Sequence, residues 1–535
     1  MKFRSLFFLL VLILIPSIAS AQQTQKPKLV VGIIVDQMRY DNLYKYQKHY
    51  GKDGFNRLIN NGSNFTYAHY NYEPTSTAPG HASVYTGTTP FFHGIIGNSF
   101  YDRKLKKTVG NLSGIDEVES PTRLLATTMT DQLKIATSGK AKVISISYKD
   151  RGAVLPGGHN PDGAFWYDDK TGDFFTSKYY MDTLPTWVND FNSKKLSDKY
   201  ISQEWNLSKP ISEYVTTVPD ESPYESDFFN EGKKSFPHKL NNVKHEEKYY
   251  FLENTPFANQ LLVDFADAAL KGEKLGKGKE TDFLAISFST PDHLGHEFGN
   301  FSLEVEDMYI KLDSQIAELL NKLDNAVGKG NYLLFLTADH AGMDSPGYMK
   351  ENRMPSGELG SKAFVDSLKA FSIRNYGDDL IENFSNKQIF LNWEIIENKN
   401  LDIRKVEEEI SFFIRTRFTA VTSIFTRGYL ETQRPTREAI NPILNGFNPT
   451  YSGDIAINLQ PGFMNNFWVI GTTHGSSYNY DRHVPLIFYG WNIPKQTVNT
   501  QVYTVDIAAT ICNLLKIQEP SACIGIPLIS SKTNK

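Results

Sequence analysis

The sequence predicts an α/β fold: a largely parallel central sheet with helices on both faces, carrying two insertions. Three observations lead there. Continuous apolar runs such as Leu29–Val35 and Tyr332–Ala338 are what strands covered on both faces require. A helical pattern with apolar residues at i, i+3 and i+4 follows them, clearest in Leu303–Leu323. Third, Asp36, Lys149, Arg151, Asp292, Asp339 and His340 stand at or shortly after the ends of such runs, where open α/β sheets gather their ligands.

A chain of 535 residues with 40% hydrophobic and 13% aromatic content has ample material for a core, which argues against wholesale disorder. Its start reads as a secretory leader: Lys2 and Arg4, an apolar run Leu6–Ile18, then Ala19-Ser20-Ala21, with cleavage expected after Ala21. The run is short for a membrane span, and no cysteine follows it for lipid attachment. The expected product, 22–535, is a single catalytic domain, periplasmic or secreted, with insertions at about 157–280 and 345–461. Losing Lys2 and Arg4 takes the formal net charge from −4 to −6, an acidity that argues against nucleic acid as a partner. The two cysteines, Cys512 and Cys523, lie near the C-terminus. A short disulfide loop and two buried thiols both fit them, and no cysteine metal site is possible.

Taken in order, Leu29–Val35 is the first buried strand and ends in Asp36, and Tyr40–Asn60 has helical spacing and charge. Thr75-Ser76-Thr77-Ala78-Pro79-Gly80-His81 then opens a helix, with Thr77 expected at the last loop position. A hydroxyl there faces unpaired N–H groups and the positive end of the helix dipole, which suits a phosphoryl group. Taken alone, a T-x-P motif is more often a plain cap, so the weight rests on what surrounds it. Pro90–Asn98 is a glycine-punctuated loop that delivers Asn98. The strand Ala141–Ser147 runs into Lys149 and Arg151, whose side chains point the same way if the backbone stays extended.

From about 157 to 280 aromatics become dense and turns frequent, which reads as an insertion that caps or walls the site. The strand Asp282–Phe288 leads to Asp292-x-x-x-His296, whose side chains share one face if the segment is helical. After the Leu303–Leu323 helix, the strand Tyr332–Ala338 exits into Asp339-His340. The second insertion carries no motif that names a chemistry. His474 sits in the segment Gly471–Gly475, Val484–Gly490 is the last strand, and Val505–Leu515 is the closing helix.

Asp36, Asp292, His296, Asp339, His340 and His474 supply three carboxylates and three imidazoles, a set that suits two borderline-hard divalent ions, zinc first. Any one of these histidines alone is more often a hydrogen-bonded core or surface residue. Six candidate ligands, most of them at or shortly after strand exits, together are a site. Two ions ~3.5–4 Å apart clamp the attacking and leaving oxygens of an in-line phosphoryl displacement. Thr77 is the expected nucleophile, because a threonine hydroxyl needs such activation. Asn98, Lys149 and Arg151 are the donors for the phosphoryl oxygens.

The motifs that carry these residues resemble the alkaline phosphatase superfamily, specifically the phosphate-irrepressible alkaline phosphatases exported by Gram-negative bacteria. They are VVGIIVDQMRYD, HGIIGNSFYDR, SYKDRGAVLPGGHNPDGAFWYDD, DHLGHEFG, FLTADHAGM, GTTHGSSYNYDRHVPLIF and VDIAATICNLLKIQEPSACIGIPL. The resemblance implies an alkaline-phosphatase-like fold with Thr77 as nucleophile and Asn98, Lys149 and Arg151 binding phosphate. It also implies Asp36, Asp339 and His340 around the zinc that holds Thr77, and Asp292, His296 and His474 around the other. The neighbouring nucleotide pyrophosphatase/phosphodiesterase branch is similar in Thr77, Asn98 and the six ligands but lacks the Lys-x-Arg pair. Sulfatases place Cys or Ser ahead of x-Pro-x-Arg, from which Thr77-Ala78-Pro79-Gly80-His81 departs.

The expectation is therefore a two-zinc phosphomonoesterase working through a phosphothreonine on small-molecule phosphate monoesters, as a monomer without stable membrane insertion. A further calcium site is left open. The competing readings are a phosphodiesterase or nucleotide pyrophosphatase, with the aromatic insertion as base-binding wall, and a non-catalytic binding protein on the same fold.

Overall fold

The apolar runs become the middle of a ten-stranded sheet. The computed structural model describes residues 26–114, 118–216, 218–240, 247–438, 441–466 and 469–530, and the expected leader Met1–Ala21 lies outside them. In chain order the strands are β1 (Leu29–Val35), β2 (Ser63–His69), β3 (Val143–Ser147), β4 (Gly163–Tyr167), β5 (Phe174–Phe175), β6 (Asp282–Phe288), β7 (Tyr332–Thr337), β8 (His483–Gly490), β9 (Gln496–Val498) and β10 (Val502–Tyr503). Across the sheet they lie as β9-β2-β8-β7-β1-β6-β3-β4-β5, with β10 beside β2. The run from β7 to β4 is parallel, while β8 is antiparallel to both its neighbours. β1, β6 and β7 are buried at every position, the physical reason for their unbroken apolar sequences.

Register is what assembles the site. Val35 lies opposite Phe288, Ile34 opposite Thr337 and Ser147 opposite Ser287, so β1, β6, β7 and β3 end in line. The residues that follow each strand therefore emerge at one edge. Because β8 runs the other way, the segment before it, with His474, arrives at that same edge.

The helices that matter here are α1 (Thr77–Thr86), α2 (Asp150–Gly157), α3 (Pro256–Gly272), α4 (Thr290–Phe298), α5 (Leu303–Val327) and α6 (Asp506–Leu515). In α5, Val305, Met308, Leu312, Ile316, Leu319 and Leu323 form the buried stripe, and Ser302 Oγ caps the helix by accepting from Val305 N at 3.1 Å. Its first turn also carries buried Glu304 and Glu306, and buried Asp307 follows them. Glu306 accepts from Val215 N and Thr216 N at 2.7 and 2.8 Å. Asp307 accepts from Trp205 Nε1 at 2.7 Å and Tyr214 Oη at 2.6 Å, and Glu304 meets His238 Nε2 at 3.0 Å. These carboxylates suit the positive end of the helix and moor the aromatic-rich stretch over the sheet. Within that stretch the chain first adds β4 and β5 to the central sheet before it forms the wall.

The second interruption builds a separate lobe: a four-stranded antiparallel sheet of Ile381–Ser385, Gln388–Leu391, Ile455–Leu459 and Val421–Thr426. Helices Ser361–Tyr376 and Ile403–Arg417 cover it around their own core, which includes Phe364, Leu368, Ile389, Ile410 and Ile457.

Two local expectations fail. Tyr40–Asn60 is not one helix but a turn of helix at Asn42–Lys45, a 3₁₀ turn at Gln47–His49 and a helix Phe55–Asn61. The break belongs to Asp313 of α5, whose carboxylate accepts from Gly51 N and Phe55 N, both at 2.7 Å. A Cβ at Gly54 would lie 2.2 Å from Asp313 Oδ1, so the approach needs glycine. Lys149 and Arg151 do not continue an extended strand either: Lys149 is the N-cap of α2 and Arg151 lies in its first turn. Cys512 and Cys523 are both free thiols. Among the described residues no helix is long and apolar enough to cross a membrane.

Candidate active site

Asp36 follows β1 directly and is fully buried, as are Asp339 and His340 after β7. Asp292 and His296 sit one turn apart on α4, so their side chains meet at 3.1 Å. His474 reaches in from the segment before β8. The structure brings the six together as two trios, Asp36/Asp339/His340 and Asp292/His296/His474, each with candidate ligand atoms within 4.8 Å of one another. The trios adjoin: the His340 and His474 rings stack with centroids 3.6 Å apart.

The imidazoles are oriented alike. His340 Nδ1 faces Ala341 O, His296 Nδ1 faces Thr472 O and His474 Nδ1 faces Thr75 O, each at 2.8 Å. With Nδ1 as the donor there, each Nε2 would be free to offer its lone pair to a cation, the arrangement that metal-binding histidines use. In the first trio Asp36 Oδ1, Asp339 Oδ2 and His340 Nε2 are buried without a hydrogen-bond partner. Orphaned polar atoms of this kind in one place fit a cation.

Electrostatics agree. Burial, then Asp292 and Asp339, holds Asp36 well above the usual carboxylate range. Burial also opposes ionisation of Asp292 and Asp339, but His296 and Lys149 outweigh it at the first and His340 and His81 at the second, so both lie below that range. Three carboxylates in one dry pocket cannot all ionise unaided, and bound cations would relieve the conflict.

Thr77 is 1% exposed and is the first residue of α1; the N-cap is Ser76, whose carbonyl accepts the first helical bond from Gly80 N at 2.9 Å. This moves Thr77 one place from its expected position and leaves it in the first turn, at the positive end of the helix dipole. Its neighbours touch both trios. Thr75 O receives His474, and a Cβ on Gly80 would stand 2.1 Å from Asp339 O, so α1 presses directly on the strand exit. Asn98 is tied to the same turn, its Oδ1 accepting from Ala78 N at 2.8 Å.

Lys149 Nζ lies 2.7 Å from Asp36 Oδ2 and also pairs with Asp292 Oδ2, bridging the trios. Burial alone would neutralise it, but Asp292 and Asp36 outweigh burial and keep it an ammonium. Arg151 contacts Asp150 at 3.3 Å and keeps its buried Nε without a partner, a donor left for an anion. The aromatic-rich wall closes this edge: Ser226 Oγ donates to Glu297 Oε2 beside His296 at 2.7 Å, and Gly471 N donates to Tyr224 O at 2.8 Å.

Sequence reasoning gave no role to three residues here. Gln37 donates from Nε2 to Asp292 Oδ1 at 2.5 Å and from its backbone N to Asp339 Oδ1 at 3.2 Å, linking the trios. His81 stands 3.3 Å from Asp339 Oδ2, held by Thr77 O and Ser287 Oγ at 2.8 Å each. Its position four residues after Thr77 on one helix was a readable signal. Glu253, with its carboxyl pushed up to about 8 by burial and then by Asp169, faces the fields of Lys149 and Arg151; no sequence pattern marks it.

The profile of the type I phosphodiesterase / nucleotide pyrophosphatase family matches residues 30–359. The alkaline phosphatase PhoV of Synechococcus elongatus is 41% identical over 515 residues, covering 94% of this chain and 92% of the relative. The alkaline phosphatase PafA of Elizabethkingia meningoseptica is 39% identical over 541 residues, covering 97% and 98%. A Myroides odoratus protein that bears the name calcium-transporting ATPase is 39% identical over 532 residues, covering 96% of each. The crystal structure of wild-type PafA superposes with a TM-score of 0.88 at 38% identity, over 94% of this chain and 98% of that one. The chain therefore belongs to the type I phosphodiesterase / nucleotide pyrophosphatase family and shares the alkaline-phosphatase fold of PafA.

Proposed function

We propose that this chain is an exported, monomeric alkaline phosphatase that hydrolyses phosphate monoesters with varied leaving groups through a phosphothreonine at Thr77, with two zinc ions as cofactors. The observation that carries the reading is the presence, at one sheet edge, of two Asp/His trios together with Lys149 and Arg151 at the start of α2. The names of PhoV and PafA support it. Asp36, Asp339 and His340, with Thr77, would hold one ion, and Asp292, His296 and His474 the other. Ions bound there supply Lewis acidity at the attacking and leaving oxygens.

In the first displacement Thr77 Oγ1, its proton given up to solvent, bonds to phosphorus as the bond to the leaving-group oxygen breaks; that oxygen departs with its electron pair and takes a proton from water. In the second, water attacks phosphorus in line and gives up a proton as the bond from phosphorus to Thr77 Oγ1 breaks, releasing inorganic phosphate and returning Thr77 to its starting state. The N-terminus of α1 favours the anion throughout. Asn98, Lys149 and Arg151 take the charge on the remaining phosphoryl oxygens. A monoester dianion presents one more charged oxygen than a diester, and a Lys–Arg pair matches it.

The second reading, a phosphodiesterase or nucleotide pyrophosphatase, is favoured by the matching family profile and would use the aromatic wall against a base. Hydrolysis of an aryl phosphate and of its methyl diester by the purified protein separates the two. Charge-assisted bonds to the extra oxygen, about 2–3 kcal/mol, give an expected monoester advantage of ~100-fold in kcat/KM. A chelator should abolish both activities and zinc restore them. A diester preference would hand the site to the second reading.

A further inference from the structure

The separate lobe touches the catalytic edge through a hairpin tip. Strands Ile381–Ser385 and Gln388–Leu391 are joined by Asn386-Lys387, both in the left-handed region at φ 50° and 58°. A two-residue turn with both φ positive suits right-twisted strands, but it favours Asn and Gly over Lys. A lysine held there against preference has its side chain directed by the turn.

That side chain ends between two functional segments. Lys387 Nζ pairs with Glu73 Oε1 and donates to Gly475 O at 2.8 Å, with the lysine side chain 14% and the glutamate 5% exposed. Glu73 leads into Thr75 and Thr77, and Gly475 directly follows His474. The two segments are cross-linked beyond this point by His474 Nδ1 to Thr75 O at 2.8 Å and Thr75 Oγ1 to Ser476 O at 2.9 Å. Asn386, the other tip residue, donates to Ser99 O at 2.8 Å, next to Asn98. Two adjacent residues of the lobe thus grip the segments that carry Thr77, His474 and Asn98.

We propose that Lys387 is a positioning residue: its ammonium, brought by the lobe's hairpin tip, locks the His474 loop against the Thr77 segment and so fixes the second trio relative to the nucleophile. It reaches no reacting atom in this arrangement and acts through Gly475 and Glu73. Outer groups that orient metal ligands cost about 10–100-fold when removed, and a low-dielectric ion pair of this kind is positioned to do so. The inference rests on the phosphatase reading for its kinetic arm only.

The test compares Lys387→Gly, which suits the turn geometry and removes the whole side chain with its ammonium, with Lys387→Arg, which keeps the charge. Lys106→Ala serves as control, since it cuts a 3.1 Å ion pair from the turn before Lys107–Gly110 to Glu394 of the same lobe, with both partners more than half exposed. In metal-free protein, Lys387→Gly should speed amide hydrogen exchange of residues 474–477 by ~10-fold or more while the lobe's own strands keep their protection. In zinc-loaded protein it should lower kcat/KM for an aryl phosphate by ~10–100-fold. Arginine should recover most of both effects, and Lys106→Ala should change neither. Unaltered exchange at 474–477, a loss that arginine does not recover, or an equal loss in the control would each overturn the proposal. A wild type that turns over no phosphate ester would remove the phosphatase reading while the exchange comparison still decides the role of Lys387.

Discussion

Replacing Thr77 with alanine is expected to abolish phosphate-monoester turnover, lowering kcat/KM by ~10⁴-fold or more, the scale seen when a covalent nucleophile is deleted. The change removes a hydroxyl and a methyl from a residue 1% exposed at the head of α1, and the helix and its contact with Asp339, made at Gly80, should persist. Thr77→Ser keeps an oxygen at the same place and should retain far more activity than alanine. Rapid acid quench of the wild type with a labelled aryl phosphate should trap label on protein, and the alanine variant should trap none. Activity in Thr77→Ala within ten-fold of wild type would remove Thr77 from the mechanism.

The second large effect concerns the pair at the start of α2. Lys149→Ala with Arg151→Ala should lower monoester kcat/KM by ~10³-fold or more, since each donor to a developing oxyanion contributes about 2–4 kcal/mol. Diester hydrolysis should fall much less, because it lacks the second charged oxygen that the pair would meet. Lys149 also bridges Asp36 and Asp292, so its loss bears on the trios as well as on phosphate. Metal content measured on the same samples separates these roles. Equal losses for monoester and diester at full metal content would contradict the assignment of this pair to the dianion.

Much of this was legible in the sequence because the central strands are buried on both faces. Leu29–Val35 and Asp282–Phe288 are strands with the bounds their apolar runs suggest. The ligand inventory was legible for the same reason, since Asp36 and Asp339 stand where such runs stop. Division of the six residues into trios was not, because it depends on sheet order, with β1 between β6 and β7. It entered only through family resemblance.

Other features were settled by partners far away in sequence. The break at Gly51–Gly54 answers to Asp313, and the role of Gln37 to Asp292, 255 residues on. Gly163–Tyr167 looked like part of an aromatic insertion and becomes a sheet strand only by pairing with β3. The posture of Lys149 and Arg151 turned on whether the strand continued; a helix begins instead, and Lys149 caps it.

The central claim is that two trios hold two divalent ions beside Thr77. Anomalous diffraction at the zinc edge from crystals of the zinc-loaded protein tests it most directly. The account predicts two peaks ~3.5–4 Å apart, one within ~2.0–2.2 Å of ligand atoms from Asp36, Asp339 and His340, the other equally close to Asp292, His296 and His474. Peaks elsewhere in the chain, or none at this edge of the sheet, would contradict it.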